Sequence, residues 1–417
     1  VAPGTYRVSV TASGFSAFAR EVTVVVDKAT NIDSTLQVGT GDLGEVEVIA
    51  DGTVNIDQSQ TGVDTNVTKR VIEALPKGTN FSSLLKTAPN VRPEPLAAGF
   101  QVDGASGAEN VFVIDGQEVT NFRTGQLNTN NNVPFELVQE VQIKSTGFAA
   151  EYGGATGGVV NVVTVGGSDR WRGNFGLAFE PSKLQGDPRI ILNTYNPVTD
   201  GTGAYEEFQP RKDGGTNYFP SMGVSGPIIK EKFWFSAVYA PQFINNDRRI
   251  DYFGSATPAN PNTRFVTETI DYTRRERREY AFLRLDAQPT SKLRMFGSFL
   301  YNPLVVEGTL PGLTEGFAGA PQSADFGGSI GFLRGSDFLG QQGGRQNSNS
   351  VNGQVTYTPT NNLVLNFRAG RNFLNENLNA YGIPNQTRYL CSVSGNPASI
   401  PGGAAAAGCA RGYANFA

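Results

Sequence analysis

The side chains most easily imagined as a general acid and base are Asp115, Glu140 and Glu151, and nothing in the chain supplies them with a nucleophile to activate. Histidine is absent from all 417 residues. That removes Ser-His-Asp triads, Cys-His nucleophiles and imidazole metal sites together. No Gly-x-x-x-x-Gly-Lys-Ser/Thr phosphate loop occurs. Residues 39–44 spell the dinucleotide glycine fingerprint, but they open an alternating, strand-like run instead of a helix. Asp115 is explained by the tight turn it makes with Gly116, where Asp-Gly supplies left-handed backbone. The run Arg274, Arg275, Glu276, Arg277, Arg278, Glu279 reads as a solvated loop end, with an anionic ligand or lipopolysaccharide as the alternative. No catalytic residue, cofactor or metal site is expected, and the chain reads as a non-enzyme.

The remaining chemistry is that of the backbone. Glu45, Val46, Glu47, Val48, Ile49 and Ala50 alternate between two differently patterned regions. An exposed, extended segment of this kind can add as a strand to the sheet edge of a partner. The alternatives are a last strand of the preceding unit or a plain linker. Thirty-four basic against 38 acidic residues, net −4, give no electrostatic case for nucleic acid. Fifty glycines, 17% charged and 10% aromatic residues suit strands and loops better than helices. No apolar run of about 18 residues is present for a membrane-crossing helix. A membrane β-barrel would leave no such run, because its strands alternate.

Taken in order, residues 5–10, 21–26 and 31–38 give three strand signals, the end of a β-sandwich too short to make a core alone. The chain opens at Val1 with no initiator Met or signal segment and reads as a fragment, or a mature form missing both ends. Residues 65–68 are expected to cap a helix over 69–75 ended by Pro76, and 80–88 to form a second short helix stopped before Pro89. A short strand reaches Asp115 and Gly116, and an alternating strand begins near Glu136. Then come a hinge at Gly153, Gly154, Gly157 and Gly158 and a final strand to Thr164. Cys391 and Cys409 share the last glycine- and alanine-rich loop; in an exported protein such a pair favours a local disulfide over two unpaired thiols.

Beyond Asp169 the chain alternates at period two. Phe175, Leu177 and Phe179 oppose Asn174, Gly176 and Ala178; Leu283 and Leu285 oppose Phe282, Arg284 and Asp286; Leu365 and Phe367 oppose Asn366 and Arg368. A soluble sandwich alternates identically, so connection lengths decide. Turns near 229–231, 289–291 and 359–361 are short, whereas the connections near 181–216, 244–275 and 303–347 are long. Short turns on one rim and long loops on the other mark an outer-membrane barrel. About seven strands are present, too few to close.

Residues 72–91, 100–104, 111–116 and above all 148–164 (Phe-Ala-Ala-Glu-Tyr-Gly-Gly-Ala-Thr-Gly-Gly-Val-Val-Asn-Val-Val-Thr) closely resemble the plug of TonB-dependent outer-membrane receptors of the Oar-like branch. Residues 3–15 are similar to the end of carboxypeptidase-regulatory-like domains. The resemblance implies a mostly β chain: a partial sandwich over 1–40, a linker with a candidate TonB box over 41–52, a small α/β plug over 53–168, and the first strands of a transmembrane antiparallel barrel over 169–417. The paired strands of the family are expected at 100–104 and 111–116. Glu151 is then accounted for by plug surface or plug-to-barrel contacts. Asp103 stands where many members have Arg, which weakens any claim of ion pairs between plug and barrel there. The implied activity is TonB-driven uptake of an unidentified substrate. The implied partners are TonB with its inner-membrane energising complex and outer-membrane lipid. The plug and N-terminal domain would lie on the periplasmic side. The rival is an adhesion or secretion-linked barrel whose plug never moves.

Overall fold

The computed structural model describes residues 4–26, 30, 32, 34, 36, 38, 46–47, 64–75, 78–94, 99–121, 124–148, 152–195, 204–255, 264–312, 343–360, 362–377, 388–390 and 413–415. The first unit is an antiparallel hairpin, β1 (Gly4–Val10) and β2 (Phe18–Val24), turned at Gly14 with φ 83°. A two-residue strand, β3 (Val46–Glu47), lies parallel to Phe18 and Ala19 on its free edge. The third strand expected over 31–38 lies largely outside the described residues; Val38 makes an isolated antiparallel bridge to Phe15.

The second unit is a five-stranded mixed sheet. Its order is β4 (Asp64–Thr68), β11, β12, β7, β8, and the elements between form its cover. Helix α1 (Lys69–Ala74) follows β4, and the chain then makes a hairpin from β5 (Val91–Pro93) and β6 (Phe100–Val102). Next come β7 (Val111–Ile114), β8 (Gln117–Glu118), β9 (Thr120–Asn121) and β10 (Gln126–Leu127). The long strands β11 (Val138–Lys144) and β12 (Val159–Thr164) finish the sheet. Three expectations need correction. Thr68 stands at the helix N-cap without a side-chain hydrogen bond, so no cap selects that start. The second helix is a 3-10 helix, Phe81–Thr87, pinned by Phe81, Leu84 and Leu85 in the core, not by α-helical propensity. The strands at 100–104 and 111–116 do not pair with each other: β6 pairs β5, whereas β7 runs parallel to β12. Burial explains the difference, since β7 is buried at all four positions and takes the sheet interior.

The third unit is a curved antiparallel meander. It runs through β13 (Arg172–Pro181), a side hairpin of β14 (Ile191–Tyr195) and β15 (Ala204–Phe208), then β16 (Thr216–Ile229) and β17 (Phe233–Tyr239). It continues through β18 (Gln242–Ser255), β19 (Arg264–Arg278), β20 (Ala281–Thr290), β21 (Leu293–Tyr301), β22 (Leu304–Glu307), β23 (Gly343–Thr360) and β24 (Leu363–Asn377). Six of these are halves of three longer strands. β17 runs on into β18 past Ala240 and Pro241, β19 into β20 past Glu279 and Tyr280, and β21 into β22 past Asn302 and Pro303. Joined, they give seven wall strands, with short turns on one rim as expected. The long connections are partly strand: 244–255 pairs with 264–276 in a tall hairpin. Its charged alternation hides the strand from hydrophobic patterning. The fold is mostly β, with a plug seated against a partial ring of strands.

Candidate functional site

The plug and the wall share one hydrophobic core. Val238, Ala240, Tyr280, Phe282 and Leu300 of the wall are buried in the same cluster as Leu137, Val138, Val160 and Val162 of the plug. Along β20 the alternation fixes which side chains face it: Phe282, Arg284 and Asp286 point to the plug, while Leu283 and Leu285 stay exposed.

Next to this core the contact becomes ionic. Asp115 adopts φ 49° and Gly116 φ 81°, the left-handed pair of an Asp-Gly turn. The turn directs the Asp115 carboxylate into the wall, where its side chain is 1% exposed. Thr164 donates its backbone N–H to Asp115 Oδ1 (3.0 Å) and its hydroxyl to Oδ2 (2.6 Å). Arg284 Nη1 stands 3.3 Å from Asp115 Oδ1 and donates to Thr164 Oγ1 at 3.1 Å. The same guanidinium donates from Nε and Nη2 to Asp286 at 3.0 and 3.1 Å and lies 4.1 Å from the centre of the Phe296 ring. Ser298 adds a hydroxyl to Asp115 Oδ2 at 3.3 Å. One buried cation therefore bridges a plug carboxylate and a wall carboxylate. The turn explanation for Asp115 was incomplete, because the residue also carries an ion pair from plug to wall.

Higher up, the breaks in the three long wall strands fall at one level. Ala240 N–H donates to Tyr280 O (2.9 Å), Glu279 N–H to Pro303 O (3.0 Å) and Asn302 N–H to Ser348 O (3.0 Å). Pro241 and Pro303 lack an N–H for the ladder, which favours an interruption there. The asparagine loop of the plug docks on this belt. Asn130 and Asn302 exchange side-chain-to-carbonyl hydrogen bonds at 2.9 and 2.8 Å. Tyr280 Oη lies 3.2 Å from the carbonyls of Thr129 and Asn132, and Gln242 Nε2 donates to Asn80 Oδ1 at 2.7 Å. Sequence reading missed this loop; the run of four asparagines within 128–132 facing Pro-interrupted strands was the available signal.

The other candidate residues fall as follows. Glu140 is buried and accepts from the N–H of Val26 at 3.1 Å, while Gln142 Nε2 donates to Val26 O at 3.3 Å, so the N-terminal hairpin leaves against the plug sheet. Gly154 needs its φ of 87°, and Gly157 and Gly158 need their missing side chains, since a Cβ would press on Asn110 and Val102. Gly153 faces open space. Of the candidate coupling strand, Val46 and Glu47 form β3 and pair with β2; Glu45, Val48, Ile49 and Ala50 lie outside the described residues, as do Glu151, Cys391 and Cys409. Arg274 to Glu279 is no loop end. It belongs mainly to β19, with Glu276 held between Arg274 (3.1 Å) and Arg278 on the inner face and Arg275 paired to Asp247 (2.7 Å) on the outer. Among the described residues no group of three or more His, Cys, Asp or Glu converges to hold a metal.

A small mixed sheet packed against a partial ring of antiparallel strands is the arrangement of a plug and part of a barrel wall. Residues 56–159 match the TonB-dependent Receptor Plug Domain. The chain is 31% identical to the TonB-dependent transporter Oar of Myxococcus xanthus over 48% of its own length, and 28% identical to the ferrienterobactin receptor of Escherichia coli over 28%. Each match spans 18% of the relative's length. Similar solved structures include the outer membrane transporter YddB from Escherichia coli (14% identity, 74% of this chain and 38% of that one, TM-score 0.48). The alcaligin receptor FauA from Bordetella pertussis is another (12% identity, 76% and 47%, TM-score 0.41). Residues 56–159 are thus a plug domain of the TonB-dependent receptor type, and the chain is a homologue of the transporter Oar over part of that protein's length.

Proposed function

We propose that this chain is the plug-bearing part of an energy-coupled importer of the bacterial outer membrane. The observation that carries the reading is the plug seated on the wall through a shared core and a buried Asp115–Arg284–Asp286 bridge. Such a plug closes a lumen, and moving it requires outside work. Residues 45–50 form the segment on which TonB, driven by its inner-membrane energising complex, exerts that work by strand pairing. The parallel seat of Val46 and Glu47 on β2 supports a backbone able to pair in this way. Glycines 153, 154, 157 and 158 keep the plug's turn compact. Residues 1–40 act as the end of a carboxypeptidase-regulatory-like domain on the periplasmic side, with 41–52 as linker, 53–168 as plug and 169–417 as wall. Cys391 and Cys409 form a local disulfide. The wall sits in outer-membrane lipid, and its long connections take part in capturing the substrate, a peptide, protein, carbohydrate or metal chelate.

Deleting residues 45–50 from the complete receptor tests the reading. Retention of the periplasmic domain of TonB on the solubilised receptor and uptake dependent on the proton gradient should both be lost, with unchanged amounts of receptor in the outer membrane. Unchanged uptake defeats the importer and leaves an adhesion or secretion-linked barrel.

A further inference from the structure

The described wall strands meet the plug in two chemically different regions. On the side of β17, β20 and β21 the contact is the shared apolar core, the Arg284 bridge and the hydrogen bonds that Asn302, Tyr280 and Gln242 make to the plug. Among the described residues, β23 and β24 contribute nothing to that core. Their inner faces present Ser348, Ser350 and Asn352, each buried, and Asn372. Ser348 Oγ, Asn352 Oδ1 and Asn372 Oδ1 are buried without a hydrogen-bond partner. The plug approaches closely there: a side chain at Gly370 would collide with both Gln117 of β8 and Asn352 of β23.

These regions respond oppositely to water. Parting the apolar region exposes hydrophobic surface and strips a buried cation of its carboxylate. Parting the polar region gives unpartnered oxygens the hydrogen bonds they lack, so hydration favours it. Gln242 Oε1, Asn130 Oδ1 and Asn302 Oδ1, on the attached side, also lack partners, but each of these side chains is anchored across the contact through its amide nitrogen, Gln242 to Asn80, Asn130 to the Asn302 carbonyl and Asn302 to the Asn130 carbonyl. We infer that the plug parts from the wall along the β23–β24 seam while remaining attached to β17, β20 and β21, and that this seam is where a solute first passes. This rests on the importer reading above.

Near-isosteric cysteines test it in the complete receptor with Cys391 and Cys409 replaced by serine. Ser348→Cys and Ser350→Cys report the seam; Val238→Cys and Ala240→Cys report the attached side, and all four positions are buried to a similar degree. Intact cells are treated with a membrane-impermeant biotin maleimide, with and without a protonophore. Energised cells should label the two seam cysteines about tenfold faster, as a shift of about 1.4 kcal/mol in the opening equilibrium would produce, and the attached pair at an unchanged rate. Energy-dependent labelling of all four positions, or of the attached pair alone, overturns the seam and leaves the importer standing. Energy-independent labelling everywhere overturns plug movement and with it both readings.

Discussion

Arg284 sits between two carboxylates in a site from which water is largely excluded, so the three residues do not contribute equally. Replacing Asp115 by Asn preserves the left-handed turn, which Asn tolerates, and leaves Arg284 neutralised by Asp286. The cost should be roughly 1–3 kcal/mol, that of a weakened buried hydrogen bond. Replacing Arg284 by Gln leaves Asp115 and Asp286 facing each other without a cation, and should cost roughly 3–5 kcal/mol. Hydrogen exchange of the plug amides in the complete receptor reads both values; an Asp115→Asn cost equal to or above that of Arg284→Gln would show that the turn, and not the bridge, is what Asp115 supplies. Half of this site was legible in the sequence. Asp-Gly announced the turn, and alternation over 280–286 placed Arg284 and Asp286 on one face. The pairing was not legible, because 169 residues separate Asp115 from Arg284 and nothing local to either residue names the other.

Between elements, the passage from plug to wall runs through Gly166 and Gly167. A Cβ on Gly167 would lie 2.5 Å from Trp234 Cβ and 2.7 Å from Phe235 O. Backbone cannot yield as a flexible side chain does, so Gly167→Ala should cost roughly 1–3 kcal/mol and loosen β12 first, read as faster exchange of its amides; unchanged exchange would mean the wall gives way instead. Two residues on, Asp169 Oδ1 accepts the N–H of Glu231 and the indole N–H of Trp234, each at 2.7 Å, and staples the β16–β17 turn where Glu231 holds φ 64°. The Glu231 N–H, then the Trp234 indole, hold the Asp169 carboxyl below its ordinary 3.8. A depressed carboxylate contributes its stability above pH 3.8 and loses it as pH falls through the lowered value. Protection of the Glu231 amide should therefore still be present at pH 3.8 and vanish only as pH falls through the lowered value, and Asp169→Ala should remove it at every pH. Patterning read the apolar strands of the wall correctly and took the charged hairpin of β18 and β19 for loop. There the strand is stabilised by cross-strand pairs such as Arg249 with Asp271, 2.7 Å apart, and such pairs leave no apolar period to detect. The plug's 3-10 turn was misread for a related reason: core contacts of Phe81, Leu84 and Leu85 set it, and the same spacing serves a short α-helix equally well.

At the scale of the molecule, a wall in lipid and a sheet in water differ in what the outer face tolerates. Outward residues change character along the strands. Phe175, Leu177, Leu283, Leu285 and Phe367 make an apolar band. Tyr218, Tyr239 and Tyr301 follow, with the Tyr239 hydroxyl donating to Glu279 at 2.6 Å, and the charged outer face of β18 and β19 lies beyond. Such a sequence of layers matches hydrocarbon, interface and headgroup in turn. Leu283→Arg places a charge within the band, and Thr273→Arg places the same charge on the exposed outer face of β19. If the band lies in hydrocarbon, the first should cost roughly 2–4 kcal/mol and the second roughly 0–1. Urea titration of the complete receptor folded into lipid vesicles compares them directly. In a water-facing sheet both substitutions replace exposed side chains and should stay within roughly 0.5 kcal/mol. Equal, small effects would therefore remove the membrane from the argument, and with it the reason for a plug, since a sheet already bathed in water has no lumen to close.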